Sequence, residues 1–168
     1  MMLRHTLSIA LLPFTVTVLV PVWIARRYGV ALHLGGSAES VALQMLAVGP
    51  LALGASLFVG SLRRFHTEGH GTLAPWDPPR RLVVHGPYRY VRNPMISGVI
   101  FVLFGEAFLL LSVPHLTWAA IFLGLNLVFI PLLEEPQLRR RFGDSYMEYC
   151  RHVRRFIPRW SPWTPPAG

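Results

Sequence analysis

Four stretches of the chain are apolar for long enough to cross a bilayer, with polar or turn-rich segments between them. A transmembrane helix needs about 20 largely apolar residues, and Thr6–Ala25, Ser40–Leu62, Met95–Val113 and His115–Leu133 each meet that condition. The first is longer than the apolar region of a secretory signal and lacks a small-x-small cleavage site, so it reads as a retained anchor. Pro114 and His115 are all that joins the third stretch to the fourth, which predicts a tight antiparallel hairpin. His115 reads as a turn residue. Between the second and third stretches, residues 63–94 hold Gly69, Gly71, Pro75, Pro78, Pro79, Gly86, Pro87 and Pro94, so short pieces and frequent turns are expected. "LVVHGPY" reads as a brief extended piece leading into a Gly-Pro turn, and Pro94 suits the first turn of the next helix.

Beyond residue 133 the period changes from uniformly apolar to amphipathic. Leu138, Phe142, Tyr146, Tyr149, Val153 and Phe156 recur at spacings of three and four, while Arg139, Arg140, Arg141, Asp144, Glu148 and Arg151 fill the other face. This predicts a helix lying on the membrane surface, with a break at Gly143 and Asp144 capping a second piece. The expected architecture is an all-α integral membrane protein: four transmembrane helices, a cytoplasmic loop that binds the ligand, and a C-terminal amphipathic helix. Residues 1–62 form the two N-terminal spans; residues 63–168 combine the loop, the hairpin 95–133 and the tail.

Composition supports the membrane reading and sets its orientation. Of the 168 residues, 52% are hydrophobic and only 14% charged, far from a soluble average. All 16 basic residues are arginine. Hairpin geometry puts the amino end, the loop and the tail on one side, with every arginine except Arg26 and Arg27, and the excess of positive charge makes that side cytoplasmic. The formal charge of +8 sits beside apolar spans rather than on a basic arm, which favours lipid headgroups and anionic ligands over nucleic acid. The lone Cys150 excludes an internal disulfide and a cysteine zinc site, and no metal is expected.

The chemistry concentrates at one membrane face. Arg89 and Arg92 precede a helix start at Pro94, where free backbone N–H groups and the positive end of the dipole add to their charge; this suits an anionic group. Glu134 and Glu135 leave the fourth span at the same face, within about ten ångströms of the Arg-Asn cluster by hairpin geometry. Plainer readings exist for each: positive-inside flanking for the arginines, helical salt bridges to Arg139 or Arg140 for the glutamates, an aromatic belt for Tyr88 and Tyr90. Convergence of all of them at one depth favours a site. Within the membrane, Glu106 lies about 16 Å and Asn126 about 12 Å from the cytoplasmic ends of their spans. They are expected to meet, as a structural hydrogen bond or on the substrate side of the site.

Residues 80–160 resemble the isoprenylcysteine carboxyl methyltransferase family, which includes phospholipid methyltransferase-like membrane enzymes. Gly86, Tyr88, Arg92, Pro94 and Gly98 match the pattern G-x-Y-x-x-x-R-H-P-x-Y-x-G that opens a membrane helix. Glu134, Glu135, Leu138, Phe142, Gly143, Tyr146 and Tyr149 match the later E-E-x-x-L-x-x-x-F-G-x-x-Y-x-x-Y. The resemblance implies methyl transfer from S-adenosyl-L-methionine to a lipophilic acceptor, a carboxylate such as a prenylcysteine or a lipid amine, at the cytoplasmic face. The implied cofactor residues are Arg80, Arg81, Leu82, Val83, Tyr88, Asn93, Pro94, Met95, Ile96 and Glu134. Arg89, Arg92 and Glu135 join them on chemical grounds, since the cofactor carries a carboxylate, an ammonium and ribose hydroxyls. Arg92 and Glu134 are expected to carry catalysis, with Glu106 and Asn126 toward the substrate. Two positions depart from the pattern: Asn93 stands for its His and Ile96 for its second Tyr, which leaves a polar contact to Tyr90 or Ser97.

Two other functions fit part of this picture. A sterol-type membrane reductase using NADPH shares an R-H-P-like helix entrance, but "NPMISGV" lacks the Asn-Tyr and the acid expected there. A non-catalytic scaffold or lipid-binding protein accounts for Asn93 and Ile96 as residues released from chemistry.

Overall fold

The structure, a computed structural model, describes residues 12–68 and 82–164, and among them the regular structure is entirely helical. Arg80, Arg81 and the first residues of the Thr6–Ala25 stretch lie outside the described residues. A π-helical turn, Thr15–Leu19, runs into α1 (Val20–Tyr28). Helix α2 (Ala38–Glu68) carries Pro50 in its interior. Helix α3 (Pro94–Leu109) begins at the proline singled out from the sequence. Then α4 (Val113–Phe129), a second π-helical turn (Ile130–Glu134) and α5 (Glu135–His152) follow one another without a gap.

Two of these helices are long and apolar enough to cross a membrane, Ala38–Arg64 and Val113–His152, while α3 is shorter. Its 16 residues rise about 24 Å. It ends at Leu109, short of the expected Val113, because Leu111 adopts φ 49° and turns the chain. The hairpin connection is therefore Leu110–Ser112, with Ser112 N–H donating to Ala107 O at 3.1 Å. This corrects the reading of His115. It is buried inside α4, where its Nε2 meets Pro21 O at 3.1 Å and its Nδ1 meets Ser112 Oγ at 2.7 Å. A carbonyl only accepts, so Nε2 carries the hydrogen and Nδ1 takes that of Ser112. At the first span, α1 continues past Ala25 to Gly29 at φ 65°, which places Arg26 and Arg27 in its last turn. There they face the negative end of the helix dipole, which favours cations at that position.

Large apolar side chains stand exposed along these helices, among them Val22 and Trp23 on α1, Met45 and Leu46 on α2, and Leu125, Val128 and Phe129 on α4. So much exposed apolar surface on helices matches a hydrocarbon environment, in which the helix satisfies its own backbone.

The chain divides into two compact units, Met1–Ser56 with Gly98–Gly124, and Leu57–Ser97 with Leu125–Gly168. In the first, α2 and α3 approach to backbone contact: a Cβ on Gly54 would lie 2.7 Å from Gly98 O. Polar contacts here exploit helix irregularities. In the π-helical turn, Val20 N–H reaches Thr15 O, so the next carbonyl in the series, Val16 O, would need a hydrogen from residue 21. Residue 21 is proline and has none. Trp118 Nε1 donates to Val16 O instead, at 3.1 Å.

In the second unit, Tyr146, Tyr149 and Val153 form a buried cluster against Leu82, Val84, Leu138, Phe142, Cys150 and Trp163. The apolar stripe of α5 thus packs against the chain's own Leu82, Val84 and Trp163. Gly143 breaks α5 as expected, at φ 52° and ψ −130°, a region that a side chain disfavours.

Candidate functional site

The loop before α3 owes its shape to the tail. His85 is extended, Gly86–Arg89 makes one 3-10 turn, and four backbone bonds then tie the loop to residues 154–163. Arg92 N–H donates to Arg154 O at 2.8 Å and Asn93 N–H to Arg155 O at 3.3 Å. In the other direction Arg159 N–H donates to Tyr90 O and Trp163 N–H to Arg89 O, both at 2.9 Å. Tyr149 Oη adds a bond to Tyr88 O at 2.7 Å. Side chains of residues 88–93 are held from two directions, by α5 and by the strap that follows it.

Within this frame acid and base meet at Arg92 and Glu135, and Arg155 joins them. Glu135 opens α5 and is buried. Its Oε1 accepts from Arg155 Nε at 2.7 Å and its Oε2 from Arg155 Nη2 at 2.8 Å, a bidentate fork, while Arg92 Nη1 lies 3.0 Å from Oε1. Burial alone would raise the Glu135 carboxyl, yet the Arg155 hydrogen bonds and the charges of Arg92, Arg155 and Arg139 hold it below the usual carboxylate range. Arg155 is raised in turn, chiefly by its hydrogen bonds to Glu135. Arg92 Nη1 also donates to Cys150 Sγ at 2.7 Å, and Arg92 Nε is buried with no hydrogen-bond partner among the described residues.

Glu134 behaves differently although it is the adjacent residue. It ends the π-helical turn and is half-buried, and it makes no ion pair with an arginine among the described residues. Burial, and then the charge of Glu135, push its carboxyl upward. Tyr88 is raised as well, by burial and by the charge of Glu134, so its hydroxyl keeps its proton and remains a donor. Neighbouring carboxylates therefore have separate duties. Glu135 is consumed by two guanidinium groups, whereas Glu134 is paired with no arginine among the described residues and its charge acts on the Tyr88 hydroxyl.

The remaining sequence-derived residues fall out as follows. Arg89 is engaged by the tail, with Nε donating to Trp163 O at 2.7 Å and Nη2 to Thr164 Oγ1 at 2.6 Å, so its guanidinium holds the strap. Leu82 packs on the tyrosine cluster, and Val83 is half-buried next to it. Asn93 O accepts from Ser97 N–H at 2.9 Å in the first turn of α3, and Pro94 is fully buried. Met95 and Ile96 are half-buried on that same turn. Ser97 Oγ is buried without a partner among the described residues, a polar group next to the position where Ile96 offers none. Glu106 lies in the first unit and Asn126 in the second; Glu106 Oε2 likewise has no hydrogen-bond partner among the described residues. Arg155 and Cys150 were not anticipated. Arg155 is one of seven tail arginines and, unlike Arg139, stands at no helical spacing from Glu135, so only the folded tail distinguishes it. No cluster of potential metal ligands occurs among the described residues.

Comparison with known families gives one match. The family described as "Phospholipid methyltransferase" covers residues 42–145, more than half of the chain. No curated protein and no solved structure matches it.

Proposed function

Because the chain belongs to the phospholipid methyltransferase family, we propose that it transfers a methyl group from S-adenosyl-L-methionine to a lipophilic acceptor at the cytoplasmic face of the membrane. The observation that carries this reading is the division of labour between Glu134 and Glu135: one carboxylate locked between Arg92 and Arg155, the other in no ion pair with an arginine among the described residues, its charge felt by the Tyr88 hydroxyl. A ligand bearing a carboxylate at one end and an ammonium with hydroxyls at the other needs a donor and a carboxylate held apart. Arg92 Nε is a buried N–H lacking an acceptor, and it suits the ligand carboxylate. Glu134 suits the ammonium or the ribose hydroxyls, with Tyr88 as a neutral donor.

When bound, S-adenosyl-L-methionine supplies an electrophilic methyl on a cationic sulfonium. In-line displacement then requires alignment of the acceptor and exclusion of water rather than a side-chain nucleophile. Glu135 fixes the Arg92 guanidinium, and the tail, bonded to residues 89–93, closes the site against water. Leu82, Val83, Asn93, Pro94, Met95 and Ile96 complete the cofactor wall, joined by Arg80 and Arg81 from outside the described residues. Glu106 and Asn126 lie on the acceptor side, where a lipid amine or a lipophilic carboxylate enters from the bilayer. In this reading the chain passes the membrane four times, with residues 1–62 as the anchor and 63–168 as the catalytic region.

Titration of the detergent-solubilised protein with S-adenosyl-L-methionine and separately with NADPH tests the reading. Saturable binding of the first alone is expected. Glu134→Gln is expected to weaken it at least tenfold, and Arg92→Ala to abolish it, with Arg27→Ala unchanged. Binding of NADPH would convert the assignment to a reductase, and binding of neither to a scaffold.

A further inference from the structure

The segment that straps the loop also borders an open cleft of about 700 Å³, lined by five arginines: Arg92, Arg151, Arg154, Arg155 and Arg159. Two carboxylates meet this set. Glu135 holds Arg92 and Arg155, and Glu148 holds Arg151 at 3.3 Å. Arg159 Nη1 donates to His152 O at 3.0 Å, a neutral carbonyl, and Arg154 makes no ion pair among the described residues. Two of the five guanidinium groups thus face no carboxylate, in a concavity where each raises the potential felt by the others. Such a lining selects an anion, and guanidinium forks match phosphate oxygens.

The rim identifies the source of that anion. Ile157 is 63% exposed and Trp160 is fully exposed, both in the cavity lining. An inorganic anion requires no such apolar rim. An indole and a branched aliphatic side chain standing beside arginines are the composition of a bilayer interface, where the ring sits at headgroup level and the cations meet phosphate. We propose that this cavity binds the phosphate headgroup of an anionic phospholipid, with Trp160 and Ile157 set among the lipid carbonyls and upper chains. The bound lipid is distinct from the methyl acceptor. Arg92 is the one residue common to the cavity and the proposed cofactor wall, so the inference does not depend on the assignment of the cofactor.

Calorimetric titration of the full chain in a maltoside detergent, with short-chain phosphatidylglycerol, short-chain phosphatidylcholine and inorganic phosphate, tests it. Phosphatidylglycerol is expected to bind saturably and at least tenfold more tightly than either of the others. The double variant Arg154→Gln/Arg159→Gln is expected to lose about thirtyfold and Arg154→Gln alone about fivefold, near-surface arginines each contributing comparably. Arg140→Gln/Arg141→Gln is the charge-matched control and should bind as the wild type does. Affinity for S-adenosyl-L-methionine should be the same in all of them. Equal binding of the two lipids overturns the proposal, and inorganic phosphate binding as tightly as phosphatidylglycerol reassigns the cavity to a soluble anion. Parallel loss of lipid and S-adenosyl-L-methionine in the single variant would place the cofactor itself in the cavity.

Discussion

Arg155 grips Glu135 with both ends of its guanidinium fork, Nε at 2.7 Å and Nη2 at 2.8 Å, across twenty residues of sequence. The Glu135 side chain is 11% exposed and that of Arg155 29%, so the pair is largely withdrawn from water. Removing one member of such a pair strands the other. Glu135→Ala, which strands Arg92 as well, is expected to cost about 3 kcal/mol. Arg155→Lys should recover little, since an ammonium cannot reproduce the fork. Thermal unfolding in detergent measures both, and an unchanged midpoint for Glu135→Ala refutes the structural role.

The same pair sets the acid limb of stability. A carboxyl whose folded pKa is depressed contributes stability that is complete above its unfolded value, about 4.3, and is lost as pH falls through the folded value. Glu135 is depressed. The unfolding midpoint should therefore drop as pH falls below about 4.3, and it should drop less steeply in Glu135→Ala.

Glu134 has the opposite sign. Its folded pKa is raised by burial and by Glu135, so its ionised form opposes folding once pH exceeds the unfolded value. Glu134→Gln should raise the unfolding midpoint at pH 7.5 and leave it near the wild-type value at pH 4, while weakening cofactor binding. A destabilised variant at pH 7.5 would contradict this assignment.

Helix contact at Gly54 permits a steric test. Its Cβ would stand 2.7 Å from Gly98 O and 2.9 Å from Val102 N, both backbone atoms. Gly54→Ala must push α2 from α3 and is expected to cost about 1–3 kcal/mol. At Gly124 an added Cβ would meet nothing within 4 Å, so alanine should be accepted there without loss, and comparison of the two midpoints decides.

Trp118→Phe removes the donor that serves Val16 O. Polar contacts between membrane helices contribute about 0.6 kcal/mol on average and up to about 1.7. A loss in that range is expected for this variant, and an unchanged midpoint under denaturant titration would show that another donor replaces the indole.

The apolar lengths of α2 and α4 were legible because a bilayer imposes a length that composition alone reveals. Pro94 as a helix start and Gly143 as a break were legible because each restricts the backbone locally, by a fixed φ in one case and by access to positive φ in the other. Arg155 and the strap were not. Their pairing depends on carbonyls and N–H groups of residues 89–93 and 154–163, and backbone hydrogen bonds leave no signature in residue type. The π-helical turn ahead of Glu135 was equally hidden. It inserts an extra residue into the helical repeat, so the faces of α5 cannot be extrapolated from α4 at a 3.6-residue period. The position of His115 is obscured for a related reason, since the turn lies four residues earlier, where Leu111 takes a left-handed conformation.

Arg89 and Trp163 are 74 residues apart, and that interval is also a span of time. At synthesis rates of about 5–20 residues per second, residues 89–93 are made roughly 4–15 s before the segment that completes their hydrogen bonding. Throughout that wait residues 89–93 lack the tail carbonyls, and until Glu135 is made Arg92 lacks its carboxylate as well. Completion of the proposed cofactor wall consequently has to wait for residues 154–163.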